Sequence, residues 1–173
     1  MGTGLLGQTV RSWDAELLAL LAAAAEVQGP VPLFDVQDER FAAPGAMPSR
    51  IAHWFAERGR AGPADRASII RSIVESLAQA YADALEQAAA LSGREVTRVH
   101  IVGGGALNDL LCQAIADRSE LPVIAGPVEA TAIGNVLVQG RAVGALRGSL
   151  DALRALVADT GELRHFRPGA VRR

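Results

Sequence analysis

A short stretch rich in β-branched residues runs directly into three consecutive glycines, and a helix-forming segment follows at once. The stretch covers residues 96–102, and the glycines are Gly103, Gly104 and Gly105. Glycine lets backbone N–H groups approach a ligand closely because it has no Cβ, and the N–H groups that open a helix attract anions such as phosphate. This strand–turn–helix unit predicts an α/β fold in which the turn is a candidate nucleotide-binding element.

A second unit of the same kind follows the first. A helix is expected from Asn108 to Ser119, then a short strand at residues 123–125, then Gly126 and a helix over residues 129–143. A strand–helix–strand unit normally places its strands in parallel with a right-handed crossover. Two such strands are too few for a stable sheet of their own.

The first 95 residues are expected to be mainly helical. Apolar residues recur at helical spacing between Gly62 and Gly93, which predicts one long helix there. Asp14 is the expected cap of an earlier helix that ends near Gly29. We expect one domain over residues 1–173, with helices in 1–95, a βαβα unit in 96–160 and a loose basic tail in 161–173, of which the part from Arg164 onward is expected to lack structure.

Composition and charge exclude several classes of protein. The formal net charge is −2 and no basic stripe is present, which argues against a nucleic-acid partner. All 17 basic residues are arginines, so a P-loop lysine and a Schiff-base lysine are excluded within this sequence. The single cysteine, Cys112, cannot form an internal disulfide, and no apolar run reaches the ~18 residues of a membrane span. A cytoplasmic protein without a membrane contact is the expectation.

The three glycines admit three interpretations. A dinucleotide site needs a glycine or alanine where Asn108 stands, and it needs an acidic residue after the next strand, which is absent here. A tight turn without a ligand is the second interpretation. A mononucleotide site is the third, and it is the one that the sequence favours.

The residues around the turn have structural interpretations beside the functional one. Asn108 is expected either to cap the following helix or to face a nucleotide, and Asp109 is expected to point to solvent. Gly134 lies inside a predicted helix, where it costs about 1 kcal/mol relative to alanine, and packing against the sheet is the favoured reason for it.

No catalytic residue or metal ligand is assigned from the residues themselves. The histidines lack metal-ligand spacing, and His100 is expected on the strand face opposite Val99 and Ile101. Acidic residues cluster at positions 35–39, where a solvated loop is favoured over a Mg²⁺ site.

Two motifs carry a resemblance to a known family. Residues 102–108 read Val-Gly-Gly-Gly-Ala-Leu-Asn, and residues 126–135 read Gly-Pro-Val-Glu-Ala-Thr-Ala-Ile-Gly-Asn. Together they resemble the C-terminal domain of the FGGY carbohydrate kinases, and the second motif is most similar to the branch that phosphorylates L-rhamnulose. The likeness extends to residues 41–51, 76–81 and 166–168, and so to nearly the whole chain.

The resemblance implies a partial ribonuclease-H-like domain of the actin-like ATPase fold, mostly helical and with a short parallel sheet. It implies phosphoryl transfer from MgATP to a hydroxyl of a ketose, with ATP and Mg²⁺ as cofactors of the complete enzyme. The glycine turn then lies at the adenosine and α-phosphate side of the ATP site. Gly104 is the best candidate for direct contact, with Gly103, Gly105 and Asn108 around it.

Full members of this family are nearly three times as long as this chain. The resemblance implies that the catalytic aspartate, the N-terminal domain and three strands lie upstream of these residues. We therefore expect a chain that is inactive alone and supplies one wall of the site. The strand at 96–102 would present an open edge, which predicts a homo-oligomer. A non-catalytic oligomeric or partner-binding remnant and one chain of a split kinase are the alternatives.

Overall fold

The computed structural model describes residues 4–169, and these residues form two compact units. The division falls between Arg94 and Glu95. It lies next to the position where the sequence pattern changes from helices alone to strands alternating with helices. We refer to the two parts as the N-terminal unit and the C-terminal unit.

Helices make up most of the N-terminal unit. They are α1 (Gly4–Ser12), α2 (Leu17–Ala25), α3 (Met47–Ala56) and α4 (Arg66–Ser92). The long helix α4 begins where Asp65 accepts a 2.8 Å hydrogen bond from the Ser68 N–H, and it ends at Gly93, whose φ is +64°. Both ends are typical helix caps, and the predicted long helix is confirmed.

One local prediction for this unit is wrong. Asp14 has a φ of +49° and does not cap α2, which begins after Glu16. The acidic loop keeps its other two carboxylates exposed, whereas the Asp38 carboxylate lies 2.9 Å from Nε of Arg40 and 3.7 Å from an amino group of Arg58. The hydrogen bond from Arg40 holds the pKa of Asp38 below its ordinary value. Within this largely solvated loop, one carboxylate is therefore held by ion pairs.

Four aromatic rings form the centre of the N-terminal unit. Phe55 is 1% exposed, and its ring centroid lies 5.1 Å from Trp54 and 6.1 Å from Phe34. Phe34 is also 5.2 Å from Phe41, and the ring planes cross edge to face. Such pairs contribute about 0.5–1.5 kcal/mol each beyond the burial of their area.

The C-terminal unit alternates strands and helices around a small sheet. The strands are β1 (Val99–Ile101), β2 (Val123–Ala125) and β3 (Arg164–Phe166), in the order β1-β2-β3. The helices are α5 (Asp109–Ser119), α6 (Ala130–Ala142) and α7 (Leu150–Thr160). A short 3₁₀ turn at Gly103–Leu107 connects β1 to α5.

The sheet is mixed, although a parallel sheet was expected. β1 and β2 are parallel, as predicted, but β3 pairs with β2 in the antiparallel direction, with Arg164 opposite Ala125 and Phe166 opposite Val123. The prediction of a loose segment from Arg164 is therefore wrong for residues 164–166. Three residues with a single apolar side chain give almost no strand signal, so only the partner strand reveals the pairing.

Alternation along the strands separates two faces of the sheet. Val123 and Ala125 are buried, and α5 packs against their strand. His100 lies on the opposite face, as predicted, where Ile124 is its register partner, and its side chain is exposed. Within residues 4–169, no helix is both long enough and apolar enough to cross a membrane.

Candidate functional site

The three glycines lie in the turn that leads out of β1. Gly103 has a φ of +73° and opens the 3₁₀ turn, which continues through Leu107. The turn ends where the Asn108 N–H donates a 3.2 Å hydrogen bond to the Gly105 carbonyl oxygen, and α5 begins at the next residue. All four predicted binding residues therefore surround the N-terminus of one helix.

The fold requires these glycines to different degrees. Gly103 adopts a left-handed conformation that other residues rarely adopt. A Cβ on Gly105 would make an ordinary 3.5 Å contact with Cγ2 of Ile101. Gly104 is exposed, its φ lies outside the left-handed region, and a Cβ on it would meet nothing within 4 Å. The protein itself thus gives no steric reason for glycine at position 104, and the space beside it is open to a ligand.

Asn108 is the helix cap. It is 8% exposed, and its Oδ1 accepts a 3.0 Å hydrogen bond from the Leu111 N–H. Its carbonyl oxygen accepts the first intrahelical bond, from the N–H of Cys112 at 2.9 Å. The capping role is therefore present in the structure. Because Oδ1 is engaged in the cap, the side-chain amide nitrogen is the atom that remains for a ligand.

Cys112 lies directly under the turn. Its side chain is fully buried, and Sγ is 3.7 Å from the Gly105 oxygen and 4.0 Å from the Ala106 oxygen. Burial raises the pKa of the thiol to about 11, so the thiol is protonated at neutral pH. Cys112 is a packed core residue, and a thiolate nucleophile is not formed there.

Arg164 reaches the turn from β3, and the sequence analysis did not find this contact. The guanidinium donates hydrogen bonds to the Asp109 carboxylate and to the Ala106 carbonyl oxygen. The Asp109 side chain is 63% exposed, as expected, and it is also paired with an arginine 55 residues away. No spacing rule connects positions so far apart, so only the pairing of β2 with β3 brings them together.

The second motif supplies a turn and the start of α6. A Cβ on Gly126, whose φ is +113°, would lie 2.8 Å from the carbonyl oxygen of Glu162, so glycine is required there. Gly134 is different, because its Cβ would meet nothing within 4 Å. The prediction that Gly134 packs against the sheet is wrong, and the residue instead lines a cavity.

This cavity has a volume of about 650 Å³ and a largely apolar lining from α6, α7 and His100. Helix α6 has no buried residue, and Val136 and Val138 are 68% and 53% exposed. None of the four predicted binding residues lines the cavity. An apolar helix with so much exposed surface is typical of an interface.

The part of the chain that the structure describes contains no group of three His, Cys, Asp or Glu side chains able to hold a metal ion. The carboxylate that follows the glycine turn, Asp109, is paired with Arg164 instead.

Comparison with protein families identifies the region that contains the turn. The model of the "FGGY family of carbohydrate kinases, C-terminal domain" matches residues 3–143. This range contains the glycine turn and the second motif.

Curated relatives extend the match to nearly the whole chain. A rhamnulokinase from Bacteroides thetaiotaomicron is 36% identical over 168 residues, which is 96% of this chain and 34% of the relative. A rhamnulokinase from Klebsiella pneumoniae is 35% identical over 169 residues, or 97% of this chain and 34% of the relative. The chain thus spans about a third of the length of these relatives.

A solved structure supports the fold. The crystal structure of xylulose kinase from Rhodospirillum rubrum is similar with a TM-score of 0.62 and 22% sequence identity. The match covers 98% of this chain and 34% of that one. At this identity the likeness concerns the fold alone.

Proposed function

Because the chain belongs to the FGGY family of carbohydrate kinases and matches its C-terminal domain, we propose that the glycine turn binds the adenosine and α-phosphate side of ATP. Gly104 makes the closest approach, with Gly103, Gly105 and Asn108 around it. The phosphate acceptor of the complete enzyme is a ketose, L-rhamnulose, and the rhamnulokinases among the relatives support this choice. The open space beside Gly104 is the observation that carries the proposal.

The electrostatics of the turn are compatible with a bound phosphate. The N-terminus of α5 carries the partial positive charge of a helix dipole, which favours an anion. Asp109 in the first helical turn would repel a phosphate, but the Arg164 guanidinium is hydrogen-bonded to its carboxylate. The pairing removes much of that repulsion, and the Asn108 side-chain amide can donate to a ribose or phosphate oxygen.

In the proposed function, the chain contributes to catalysis only through nucleotide binding. Phosphoryl transfer depends on positioning and on charge stabilisation around the reacting phosphate. The described residues supply one side of the nucleotide and no metal cluster. We therefore expect no ATP turnover with L-rhamnulose by the purified chain. Activity that appears on addition of a second polypeptide would identify one chain of a split kinase.

Replacing Gly104 with alanine is expected to weaken ATP binding about tenfold or more, because the new methyl group occupies the space of the ligand. The free energy of unfolding should change by no more than about 0.5 kcal/mol, since the methyl group meets no protein atom. Calorimetric titration with ATP measures the first effect, and urea unfolding measures the second.

Gly134→Ala is the matched control for this experiment. It adds the same methyl group at another open glycine, away from the turn, and should leave ATP affinity unchanged. Equal affinities for the Gly104→Ala variant and the unmodified chain would contradict the proposed site. The absence of saturable binding at millimolar ATP would contradict nucleotide binding as a whole.

A second candidate function is that of an oligomeric module, and the free edge of β1 favours it. β1 pairs only with β2 among the described strands. Val99 and Ile101 make the hydrogen bonds to the β2 side, so the N–H and C=O of His100 point to the free edge. The exposed apolar face of α6 adds surface for a partner. We propose that a second copy of the chain covers this edge.

His100→Pro tests the oligomer without breaking the β1–β2 ladder. Proline removes the outward N–H of residue 100 but none of the bonds to β2. Light scattering at micromolar concentration should give a dimer or larger species for the unmodified chain and a monomer for the variant. His100→Ala, which keeps the N–H, should remain oligomeric. A monomeric unmodified chain would contradict this candidate.

A further inference from the structure

Helix α5 carries a stripe of polar side chains that hold the segment after α7. Asp109, Gln113 and Asp117 are spaced four residues apart and therefore lie on one face of the helix. Gln113 donates a 2.8 Å hydrogen bond to the Arg167 carbonyl oxygen, and Asp117 accepts one of 2.8 Å from the Gly169 N–H. Nε2 of Gln113 also donates to Oδ1 of Asp117 at 2.8 Å. We call the segment held in this way, residues 164–169, the strap.

Arg164 is the end of the strap that reaches the glycine turn. One amino group of its guanidinium donates to the Asp109 carboxylate, and the other donates to the Ala106 carbonyl oxygen. Ala106 belongs to the 3₁₀ turn, and Asp109 begins α5. A single planar side chain therefore joins the last part of the turn to the first residue of α5.

We propose that Arg164 is a positioning residue for the nucleotide-binding turn and that the strap keeps this turn in its binding conformation. The inference rests on the proposed function for the identity of the ligand, but the strap's hold on the turn can be tested without a ligand. β3 lies outside residues 3–143, which the family model matches.

The two hydrogen bonds of the Arg164 guanidinium have separate consequences. The hydrogen bond to the Ala106 oxygen fixes the turn just after the three glycines. This restraint matters because consecutive glycines give the backbone more conformational freedom than other residues do. The bond to Asp109 neutralises a carboxylate next to the proposed phosphate position. Loss of Arg164 would therefore loosen the turn and expose a repulsive charge to the nucleotide.

Cys112 provides a direct measurement of turn opening. It is the one cysteine in the sequence, it is fully buried, and its Sγ contacts the carbonyl oxygens of Gly105 and Ala106. A thiol reagent such as dithiobis-nitrobenzoate reaches it only when the turn moves away. The labelling rate under native conditions then reports how often the turn opens.

Arg164→Gln is expected to raise the Cys112 labelling rate about fivefold, as the loss of a part-exposed ion pair and a charge-assisted hydrogen bond implies. Arg167→Gln is the matched control, because it removes a cation from the same strap while keeping the carbonyl group that Gln113 binds. Its labelling rate should equal that of the unmodified chain. Arg164→Lys keeps the charge but cannot bridge both partners, so it should recover only part of the protection.

Asp109→Asn is the electrostatic comparison for the labelling rates. Arg164 lowers the pKa of the Cys112 thiol and Asp109 raises it, so the two substitutions shift the thiolate fraction in opposite directions. Loss of Arg164 would slow the reaction by this route, whereas loss of the Asp109 charge would speed it. Faster labelling of Arg164→Gln therefore reports opening of the turn, because electrostatics alone would slow it. Unchanged labelling in Arg164→Gln would overturn the proposal.

Labelling in the presence of ATP distinguishes failure of the strap proposal from failure of the proposed function. If both hold, ATP slows labelling of the unmodified chain, and Arg164→Gln binds ATP at least about fivefold more weakly than Arg167→Gln. If Arg164→Gln opens the turn while ATP changes the labelling rate of no variant, the role of the strap is supported and nucleotide binding is contradicted. If ATP protects Cys112 equally in all variants and their labelling rates agree, nucleotide binding is supported and the role of the strap is contradicted.

Discussion

Replacing Gly126 with alanine is expected to destabilise the C-terminal unit by about 3 kcal/mol. Two effects add at this position. The φ of +113° is unfavourable for any residue with a side chain, and the new Cβ would lie 2.8 Å from the Glu162 carbonyl oxygen. That oxygen belongs to the main chain just before β3, so it cannot move aside as a flexible side chain would.

Labelling of Cys112 in increasing urea measures this loss in the C-terminal unit alone, since the only cysteine lies there. Gly144→Ala is the matched control, because Gly144 has a φ of +78° but a Cβ on it would meet nothing within 4 Å. The control should lose about 1 kcal/mol from backbone strain only. Equal urea midpoints for the two variants would show that the close approach of Glu162 to Gly126 does not affect stability.

Replacing Phe55 with alanine is expected to destabilise the N-terminal unit by about 3–5 kcal/mol. The ring is 1% exposed and makes edge-to-face contacts with Trp54 and Phe34. A Cβ on Gly62 would lie 3.2 Å from Cδ2 of the ring, which shows how closely the following loop covers it. Removal of the ring leaves a cavity whose walls belong to a helix, a loop and a second aromatic side chain.

Tryptophan fluorescence reports this unfolding, because both tryptophans, Trp13 and Trp54, lie in the N-terminal unit. The urea midpoint rather than the signal amplitude is compared, since loss of Phe55 also changes the surroundings of Trp54. Leu91→Ala is the control, because Leu91 is 89% exposed on α4 of the same unit. Its truncation should change the free energy of unfolding by no more than about 0.5 kcal/mol. A Phe55→Ala midpoint equal to that of Leu91→Ala would contradict the central role of the aromatic cluster.

Local signals explain what sequence analysis predicted correctly. The long helix α4 has a periodic apolar stripe, an aspartate at its start and a glycine at its end, and each of these acts within a few residues. The glycine turn and the second motif were sufficient to indicate the FGGY family, which the family comparison confirmed. The cap at Asn108 was one of two roles that its position allowed, and the hydrogen bond to Leu111 shows that capping is one of them.

The prediction failed where partners are distant in the sequence. Residues from Arg164 onward were expected to be loose, yet Arg164 lies in β3 and is joined to the exposed Asp109 side chain. This error could not be corrected locally, because β3 exists only through its pairing with β2. Gly134 was assigned a packing role because helical glycine is unfavourable, but the structure leaves open space beside it.

The sequence by itself determined the family, the helices with their own caps, and the glycine turn at the start of α5, because these depend on interactions over short stretches of chain. The tertiary structure decided which glycines the fold needs, since Gly126 faces a main-chain oxygen and Gly104 faces open space. It also decided that residues 164–169 lie along α5 and hold the turn through Arg164. The physical reason is that a side chain's role at such positions is set by the atoms that the folded chain brings next to it.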